Sequence, residues 1–324
     1  MFFKNNALCS LPLGALLVYA ASGAAQTYPT RPIRMVVPQS AGGSTDLVAR
    51  PLAQRVGDAL KVPVVVDNRP GAGSTIGTDL AAKALPDGHT VLAVAASFTM
   101  SPSLYRRLPF DPVNDFAAIS LLSSLPNILV VHPVQPVKSM KELVAFAKAN
   151  PGKLNYSSSG VATGTHMSME LLKHLTGISL VHVPYKGGAP SVTALLSNEV
   201  QLCFATMSTA LPHVKSNRLR ALAVSSARRA QAAPDTPTIA ESGVPGYDYA
   251  SWIGLLAPAK TPEAIIKRWH TEAARVMQSA EMKTLLANEG SEPVGNTPRE
   301  FAAIIKTEVE RWRTVAQAAG IKAE

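Results

Sequence analysis

The stretch Val37-Pro38-Gln39-Ser40-Ala41-Gly42-Gly43-Ser44-Thr45-Asp46 decides the fold, because it joins a strand-like segment to a helix-like one. Before it, Ile33–Val37 is an apolar run typical of a buried strand. After it, apolar residues recur at helical spacing from Leu47 to Leu60. The first N–H groups of a helix are unpaired and lie at the positive end of its dipole. Two interpretations remain open, an anion-binding loop and an ordinary strand-to-helix turn.

The same order of strand, small-residue loop and helix recurs further along the first half. Residues 62–66 predict a second strand, which the Gly-rich segment 68–75 joins to a helix ending near residue 84. Residues 91–95 predict a third strand, followed by Ala96-Ser97-Phe98-Thr99. This alternation indicates a mostly parallel sheet covered by helices, with the loops gathered at the carboxyl ends of its strands.

A second series of the same kind follows in the middle of the chain. Strands are predicted at residues 128–131, 154–157, 180–183, 200–205 and 219–224. Loops rich in Gly, Ser and Thr follow three of them, at residues 158–165, 184–189 and 206–209. Two such sets of loops indicate a cleft between two lobes, with helix N-termini directed into it.

Two other helices carry their own capping signals. Ser139 with Glu142, and Thr297 with Glu300, have the spacing of an N-cap residue and the residue that it bonds. Both pairs predict helices whose first N–H groups are satisfied by a side chain. The helices at the end of the chain are expected to pack on the first lobe.

The charge of the chain is basic but spread out. The 324 residues carry a formal net charge of +9. The pairs Arg106-Arg107 and Arg228-Arg229 are isolated, and no basic stripe with interleaved aromatic residues surrounds them. This pattern argues against a nucleic-acid partner and is compatible with attraction of an acidic ligand.

The N-terminus predicts export. Residues 1–25 contain Lys4, an apolar stretch from Leu11 to Ala20 and the small residues Gly23-Ala24-Ala25, which is the pattern of a secretory signal peptide. Cleavage after Ala25 would leave Cys203 as the one cysteine, so no internal disulfide is expected. No later apolar run reaches the length of a membrane span, and a soluble, exported protein is predicted.

The known catalytic and cofactor motifs fit poorly. No phosphate-binding Walker loop, nucleophile elbow or zinc spacing occurs. The dinucleotide-like spacing of Gly71, Gly73 and Gly77 has one residue too many, and Pro70 immediately precedes it. His166, Glu170 and His174 share one helical face, but we interpret them as a satisfied histidine and a solvated pair rather than a metal site. Residues 157–159 are serines without an evident base, so they are interpreted as hydrogen-bond donors. No metal or cofactor is predicted.

Several motifs, spread in order over nearly the whole chain after residue 27, carry a family resemblance. They are Tyr28-Pro29-Thr30-Arg31-Pro32-Ile33-Arg34, the opening loop with Ala49-Arg50, Asn68-Arg69-Pro70-Gly71-Ala72-Gly73, Pro86-Asp87-Gly88, His182-Val183-Pro184-Tyr185-Lys186-Gly187, Leu219-Arg220-Ala221-Leu222-Ala223-Val224 and Pro234-Asp235-Thr236-Pro237-Thr238. With these motifs the sequence resembles the Bug family, the periplasmic receptors of tripartite tricarboxylate transporters.

The resemblance implies an α/β, two-lobe type II periplasmic binding protein (a Venus flytrap) with two hinge crossings, near residues 125–128 and 246–251. Lobe one is expected to comprise residues 26–126 and 247–324, and lobe two residues 127–246. The implied ligand is a small organic carboxylate: a di- or tricarboxylate, an acidic amino acid or an aromatic acid. The implied partners are the membrane subunits of the transporter, and a monomer is expected.

The resemblance also implies a ligand site formed by the loops of both lobes. Its residues are Ser40, Ala41, Gly42, Gly43, Ser44, Thr45, Asp46, Ser74 and Thr75 from lobe one, and Ser158, Thr163, Thr165 and Ala205 from lobe two. The sequence departs from many relatives at Gln39, where they carry an aromatic residue. Either Gln39 hydrogen-bonds a more polar ligand, or Phe98 fills the pocket instead.

We therefore predict a binding protein rather than an enzyme. Three alternatives remain: a sensory receptor that reads the same binding event, an exported hydrolase using a serine of residues 157–159, and a dinucleotide-dependent enzyme.

Overall fold

The computed structural model describes residues 1, 28–161, 163–288 and 290–321 of the chain. Residues 2–25 of the predicted signal peptide lie outside the described residues, so its cleavage stays a prediction. None of the described helices is both long and apolar enough to cross a membrane.

Strands and helices alternate along most of the described chain. The strands are β1 (Ile33–Val37), β2 (Val64–Asn68), β3 (Thr90–Ala95), β4 (Phe116–Val131), β5 (Asn155–Ser158), β6 (Val181–Pro184), β7 (Leu202–Thr206), β8 (Arg220–Val224), β9 (Ala250–Pro258) and β10 (Glu292–Pro293). The helices are α1 (Ser44–Leu60), α2 (Thr75–Ala82), α3 (Ser97–Leu104), α4 (Met140–Ala149), α5 (Gly164–Thr176), α6 (Gly188–Leu196), α7 (Met207–Lys215), α8 (Glu263–Met277), α9 (Ala280–Asn288) and α10 (Pro298–Ala318).

The strands form two groups that share the long strand β4. In the first sheet the order is β2-β1-β3-β9-β4; β1 pairs in parallel with β2 and β3, whereas β9 is antiparallel to β3 and β4. In the second sheet β7 is antiparallel to β4, and β5 is parallel to both β7 and β6. The short strands β8 and β10 each pair with β4.

Strand β4 passes from the first sheet to the second between Pro126 and Asn127. Pro126 is the last residue of β4 that pairs with β9, opposite Ala250, and Asn127 is the first that pairs with β7, opposite Thr206. The sequence predicted only the last four of the 16 residues of this strand, at residues 128–131. The part that it missed contains serines and a proline, and the buried hydroxyl of Ser120 is satisfied by donating to the carbonyl of Asn296 at 2.8 Å.

The register of β4 brings the carboxyl edges of the two sheets face to face. In the first sheet β4 runs parallel to β1 and β3, so it leaves that sheet at the edge where those strands end. In the second sheet it enters opposite Thr206, the last residue of β7. Strands β5 and β6 are parallel to β7 and end at the same edge. Helix-initiating loops of both sheets therefore face a common space.

Each sheet has its own apolar core. Ile33, Leu52 and Trp269 belong to a cluster that α1 and α8 form with the first sheet. Tyr156 and Met167 belong to a cluster that covers one face of the second sheet. All five side chains are fully buried, and burial of such large apolar groups is the main stabilising contribution.

Helix α10 contacts both cores. Near its start, Phe301 packs edge-on against Trp252, with ring centroids 5.3 Å apart, in a cluster of the first sheet. Near its end, Trp312 packs edge-on against Tyr249 at 5.2 Å, in the cluster that contains Tyr156. The expectation that the C-terminal helices pack on the first lobe thus describes only the first half of α10, because its second half lies against the core of the second sheet.

Candidate functional site

The loop between β1 and α1 is held by one buried carboxylate. Asp46 accepts hydrogen bonds from the backbone N–H of Gly42 at 2.8 Å, from Arg50 Nε at 2.8 Å and from Asn68 Nδ2 at 3.0 Å. Asn68 Nδ2 also donates to the carbonyl of Gln39 at 3.0 Å. Burial alone would raise the pKa of Asp46, but the hydrogen bonds outweigh it and lower that pKa below its usual value. Asp46 therefore fixes the loop, and both of its oxygens are already engaged.

The loop leaves the N-terminus of α1 open. Gly43 is the N-cap residue, and no side chain within the described chain caps it. Ser44 is exposed at this end, whereas Thr45 is fully buried and its hydroxyl has no hydrogen-bond partner among the described residues. Gly42 has φ of +79°, a conformation that strains any residue with a Cβ. Ser40 and Ala41 are exposed beside it.

The loop after β2 is ordered by its own backbone. Gly71 and Ser74 have φ of +131° and +79°, and residues 72–74 form a 3-10 turn. The hydroxyl of Thr75 donates to the carbonyl of Ala72 at 2.8 Å. Ser74 is the N-cap residue of α2 and makes no capping hydrogen bond to the chain that the structure describes. Thus Thr75 holds the turn, and the side chain of Ser74 remains available.

Phe98 lies in the core of the first sheet. Its ring stacks with Phe110 at a centroid distance of 6.1 Å and meets Phe116 edge-on at 5.3 Å. Only 4% of Phe98 is exposed. The ring is enclosed by other aromatic side chains in this conformation, so it is not placed to fill a ligand pocket. Gln39, the other candidate for that role, is partly exposed.

On the facing edge, hydroxyl groups cluster at the start of α5. Thr165 Oγ1 accepts from the backbone N–H of Ser159 at 3.0 Å and lies 2.8 Å from Ser159 Oγ and 3.1 Å from Thr163 Oγ1. Thr163 Oγ1 also donates to the carbonyl of Gly160 at 2.8 Å. Ala205, at the end of β7, is buried and pairs with Ile128 of β4, so only its backbone is near this edge.

Ser158 has a histidine partner that the sequence did not indicate. Ser158 Oγ lies 2.7 Å from His182 Nε2 and also donates to the carbonyl of Gly160 at 3.0 Å. The His182 ring stacks on His166 with centroids 4.0 Å apart, and on Tyr156 at 4.8 Å. Burial, with a smaller contribution from His166, lowers the pKa of His182 to about 4, so the imidazole is neutral near pH 7. The alternating pattern of β5 and β6 was the available signal, because Tyr156 and His182 are register partners.

The interpretation of Glu170 as part of a solvated pair was wrong. Glu170 is buried with His166, and its Oε1 accepts hydrogen bonds from the hydroxyl of Tyr156 and, at 2.7 Å, from Lys173 Nζ. Among the described residues no group of three His, Cys, Asp or Glu side chains is close enough to hold a metal. This cluster supports the Ser158 loop from behind.

The helices at the two facing edges differ in capping from those elsewhere. Six helices start at these edges without a side-chain capping bond among the described residues, with N-cap residues Gly43, Ser74, Ala96, Thr163, Gly187 and Thr206. By contrast, Ser139 caps α4 and Thr297 caps α10, as predicted. Helix α8, at the opposite edge of the first sheet, also lacks a cap. Uncapped N-termini thus predominate where the edges meet, although they are not confined to it.

A small cavity marks the first-sheet side of this space. It measures about 60 Å³ and is lined by Ser44 and Leu47 of α1, Ala95 of β3 and Ser251 of β9. The start of α1 therefore lies beside β3 and β9. Donor-rich helix starts on both edges, with small or hydroxyl side chains around them, suit the binding of an oxyanion.

Comparisons with known proteins agree with this geometry. Residues 48–321 match the family described as "Tripartite tricarboxylate transporter family receptor". The chain is 37% identical over 305 residues to Protein BugT of Bordetella pertussis, covering 94% of each chain. It is similar to the solved structure of R. palustris Rpa4515 with adipate, with 34% identity, a TM-score of 0.72, and coverage of 92% of this chain and 100% of the other. It is also similar to MatC from Rhodopseudomonas palustris with bound malate, with 29% identity, a TM-score of 0.69, and coverage of 89% and 100%. The predicted fold class, an α/β two-lobe periplasmic binding fold, is confirmed.

Proposed function

The chain belongs to the tripartite tricarboxylate transporter receptor family, and from this premise we propose that it is a periplasmic receptor that captures a small organic carboxylate between its two lobes for such a transporter. The observation that carries the proposal is the set of uncapped helix N-termini on two sheet edges that face each other. Their N–H groups and the nearby hydroxyls favour an anion without requiring a buried arginine.

The proposed site uses both edges. From the first sheet, Ser40, Ala41, Gly43 and Ser44 offer backbone or hydroxyl donors, and Thr45 has a buried hydroxyl with no described partner. From the second sheet, the cluster around Thr163 and Thr165 offers hydroxyls and the first N–H groups of α5. Asp46, Thr75 and Ser158 act through the loops that they hold in place.

The proposed lobes are residues 26–126 with 247–324, and residues 127–246, rotating about the two crossings of the chain, one within β4 near residues 125–128 and one at the start of β9 near residues 246–251. A carboxylate first binds the open edge of lobe one, and lobe two then closes over it. Closure removes water from the bound anion, which strengthens each charge-assisted hydrogen bond. The closed form is the state that the membrane partner would recognise.

The ligand class follows from the donors and from the relatives. The bound adipate and malate of the two R. palustris proteins are dicarboxylates, and we propose a di- or tricarboxylate, an acidic amino acid or an aromatic acid for this chain. A sensory receptor using the same site is the alternative, and it differs only in the partner that reads the closed form.

The hydrolase alternative is not favoured by the Ser158–His182 contact. Ser158 has no exposed surface, and its hydroxyl also bonds to Gly160. The carboxylate nearest the stacked imidazoles, that of Glu170, is engaged by Tyr156 and Lys173. A nucleophile must reach its substrate, so this arrangement suits a loop support better than a catalytic dyad.

Thermal unfolding of ligand-stripped protein tests the proposal. A panel of small carboxylates, amino acids and neutral sugars is added at equal concentration. A ligand at about 100 times its dissociation constant adds about 2.7 kcal/mol, a rise of about 5 °C or more in the midpoint. A rise limited to one class of carboxylates supports the proposal, whereas a response only to neutral compounds contradicts it.

A further inference from the structure

A cavity between α10 and the strands β4 and β9 is separate from the proposed cleft. It measures about 590 Å³. Its walls include Leu121 and Pro126 of β4, Ile304 of α10 and the segment 226–229 that follows β8. Among the described loop residues, none of 38–46, 71–75, 158–161 and 163–165 lines it. Its volume is in the range of sites for small organic molecules.

The apolar part of the cavity is formed by residues of β4, β9 and α10. Trp252 of β9 is buried, and it lines the cavity together with Ile304 and Leu121. The indole N–H of Trp252 is already used, because it donates to Glu308 at 3.0 Å. What the ring offers a ligand is therefore its apolar surface.

Each acidic group around the cavity accepts a hydrogen bond from the protein. Asp248 accepts from the backbone N–H of Ala227 at 3.0 Å, and Glu292 accepts from that of Gln231 at 2.7 Å. Glu308 is buried and accepts from Thr99 and Trp252. Burial raises the pKa of Glu308 to about 7, so near neutral pH it is only partly charged.

Two arginines of the cavity, Arg228 and Arg311, have N–H donors that no described residue uses. The guanidinium of Arg228 has no hydrogen bond or ion pair to any residue that the structure describes, and the residue is exposed. Arg311 uses one nitrogen to donate to the carbonyl of Asp248 at 2.5 Å, and a guanidinium has five N–H donors. Arg229, in contrast, is paired with Glu241 at 2.9 Å.

We propose that this cavity is a second binding site, which takes a small organic anion with one carboxylate on an apolar body. Arg228 and Arg311 hold the carboxylate, and Trp252, Leu121 and Ile304 contact the body. The site goes beyond the proposed cleft function, because it shares no residue with the two loop edges.

The test uses 4-fluorobenzoate as the probe and ¹⁹F NMR titration as the readout. The Ser44→Trp variant serves as the background, since a bulky side chain at the start of α1 obstructs the cleft and leaves the second cavity untouched. In this background, Ala303→Trp places a large side chain at the cavity wall, and Ala302→Trp is the matched control at a neighbouring exposed position outside this cavity.

We expect saturable binding of 4-fluorobenzoate in the Ser44→Trp background and in its Ala302→Trp derivative. Ala303→Trp should weaken that binding at least tenfold, and Arg228→Gln at least threefold. Neutral 4-fluorobenzyl alcohol should bind at least tenfold more weakly than the acid. Absence of saturable binding up to about 10 mM, equal binding of the alcohol, or binding that survives Ala303→Trp would overturn the proposal. None of these outcomes depends on the carboxylate panel of the cleft, which is measured separately on Ala303→Trp.

Discussion

The carboxylate of Asp46 accepts a hydrogen bond from the backbone N–H of Gly42 at 2.8 Å, so the first turn of α1 holds the loop that precedes it. The same carboxylate joins Arg50 of α1 to Asn68 at the end of β2. The carboxylate of Asp46 thus connects the loops that follow β1 and β2, and the position of one loop relative to the other depends on it.

Asp46→Asn should weaken both the fold and the cleft. The amide keeps the size of the side chain but removes its charge. Both oxygens of Asp46 accept from N–H groups, so the NH₂ group of an asparagine would face at least one of these donors. A loss of about 1–3 kcal/mol in the free energy of unfolding is expected, with at least a tenfold loss in carboxylate affinity. Urea denaturation and calorimetric titration measure the two effects. Asp58→Asn, at an exposed position of the same helix, should change neither quantity, and an equal effect of both variants would contradict this role for Asp46.

Ser44→Trp should block the cleft without weakening the fold. Ser44 is exposed at the N-terminus of α1, and exposed substitutions usually change stability by less than about 0.5 kcal/mol. The indole would cover the unpaired N–H groups that we propose for the carboxylate. We expect the ligand-induced rise in unfolding midpoint to disappear, whereas Ser216→Trp, at the exposed C-terminal end of α7, should retain it. A full ligand response in Ser44→Trp would place the site elsewhere.

Many of the loops and helix starts were predicted from the sequence, because their signals lie within a few neighbouring residues. The loops after β1, β2, β5, β6 and β7 were predicted because small residues between an apolar run and a helical repeat are a local signal. The two capped helices, α4 and α10, were predicted for the same reason, since a cap and its partner are three residues apart.

What the sequence could not supply are contacts between distant residues. Most of β4, residues 116–127, was missed because its serines are satisfied by partners such as Asn296, far along the chain. The pairing of Ser158 with His182, and the burial of Phe98 and Glu170, depend on packing between separate elements. The lobe boundaries and the ligand residues remain predictions.

The buried carboxyl of Glu308 should make stability fall as pH rises. Burial raises its pKa from 4.5 to about 7. Below pH 4.5 both folded and unfolded forms are protonated; above it the unfolded form ionises first, so the free energy of unfolding falls by about 1.4 kcal/mol per pH unit until about pH 7. Glu308→Gln should remove this slope in urea titrations from pH 4.5 to 7.5. Glu310→Gln, on the exposed face of α10, should keep it, and an unchanged slope in Glu308→Gln would show that another group causes it.

The titration of His182 should make stability rise with pH, over a pH range that overlaps that of Glu308. Its pKa is lowered from 6.5 to about 4, chiefly by burial. Between these values the unfolded form binds the proton more readily, so stability rises with pH across the range. Half-burial of the ring makes the slope smaller than the pKa difference alone implies. His182→Gln should therefore reduce the loss of stability between pH 6.5 and 4, and the exposed His174→Gln should not. If both histidine variants lost the same free energy of unfolding between pH 6.5 and 4, this assignment would be wrong.

The opposed slopes of Glu308 and His182 have a joint consequence. Between about pH 4.5 and 6.5 the first lowers stability with rising pH while the second raises it. The unaltered protein should therefore show a flatter profile than either single variant. Glu308→Gln should show stability rising with pH, and His182→Gln should show it falling. Two variants with slopes of the same sign would rule out this compensation.

Gly164→Ala should disturb the contact between α5 and Tyr249, the residue that immediately precedes β9. A Cβ at Gly164 would lie 2.4 Å from the hydroxyl oxygen of Tyr249, which is buried and held edge-on by Trp312. Since that ring has little room to move, we expect a loss of about 1–3 kcal/mol and a change in the affinity for the cleft ligand. Gly188→Ala is the matched control, because Gly188 is the first residue of α6 as Gly164 is of α5, and its Cβ would meet Thr209 at an ordinary 3.8 Å. Denaturation and ligand titration of the pair separate the two cases: equal behaviour of both variants would mean that Tyr249 does not limit the position of α5.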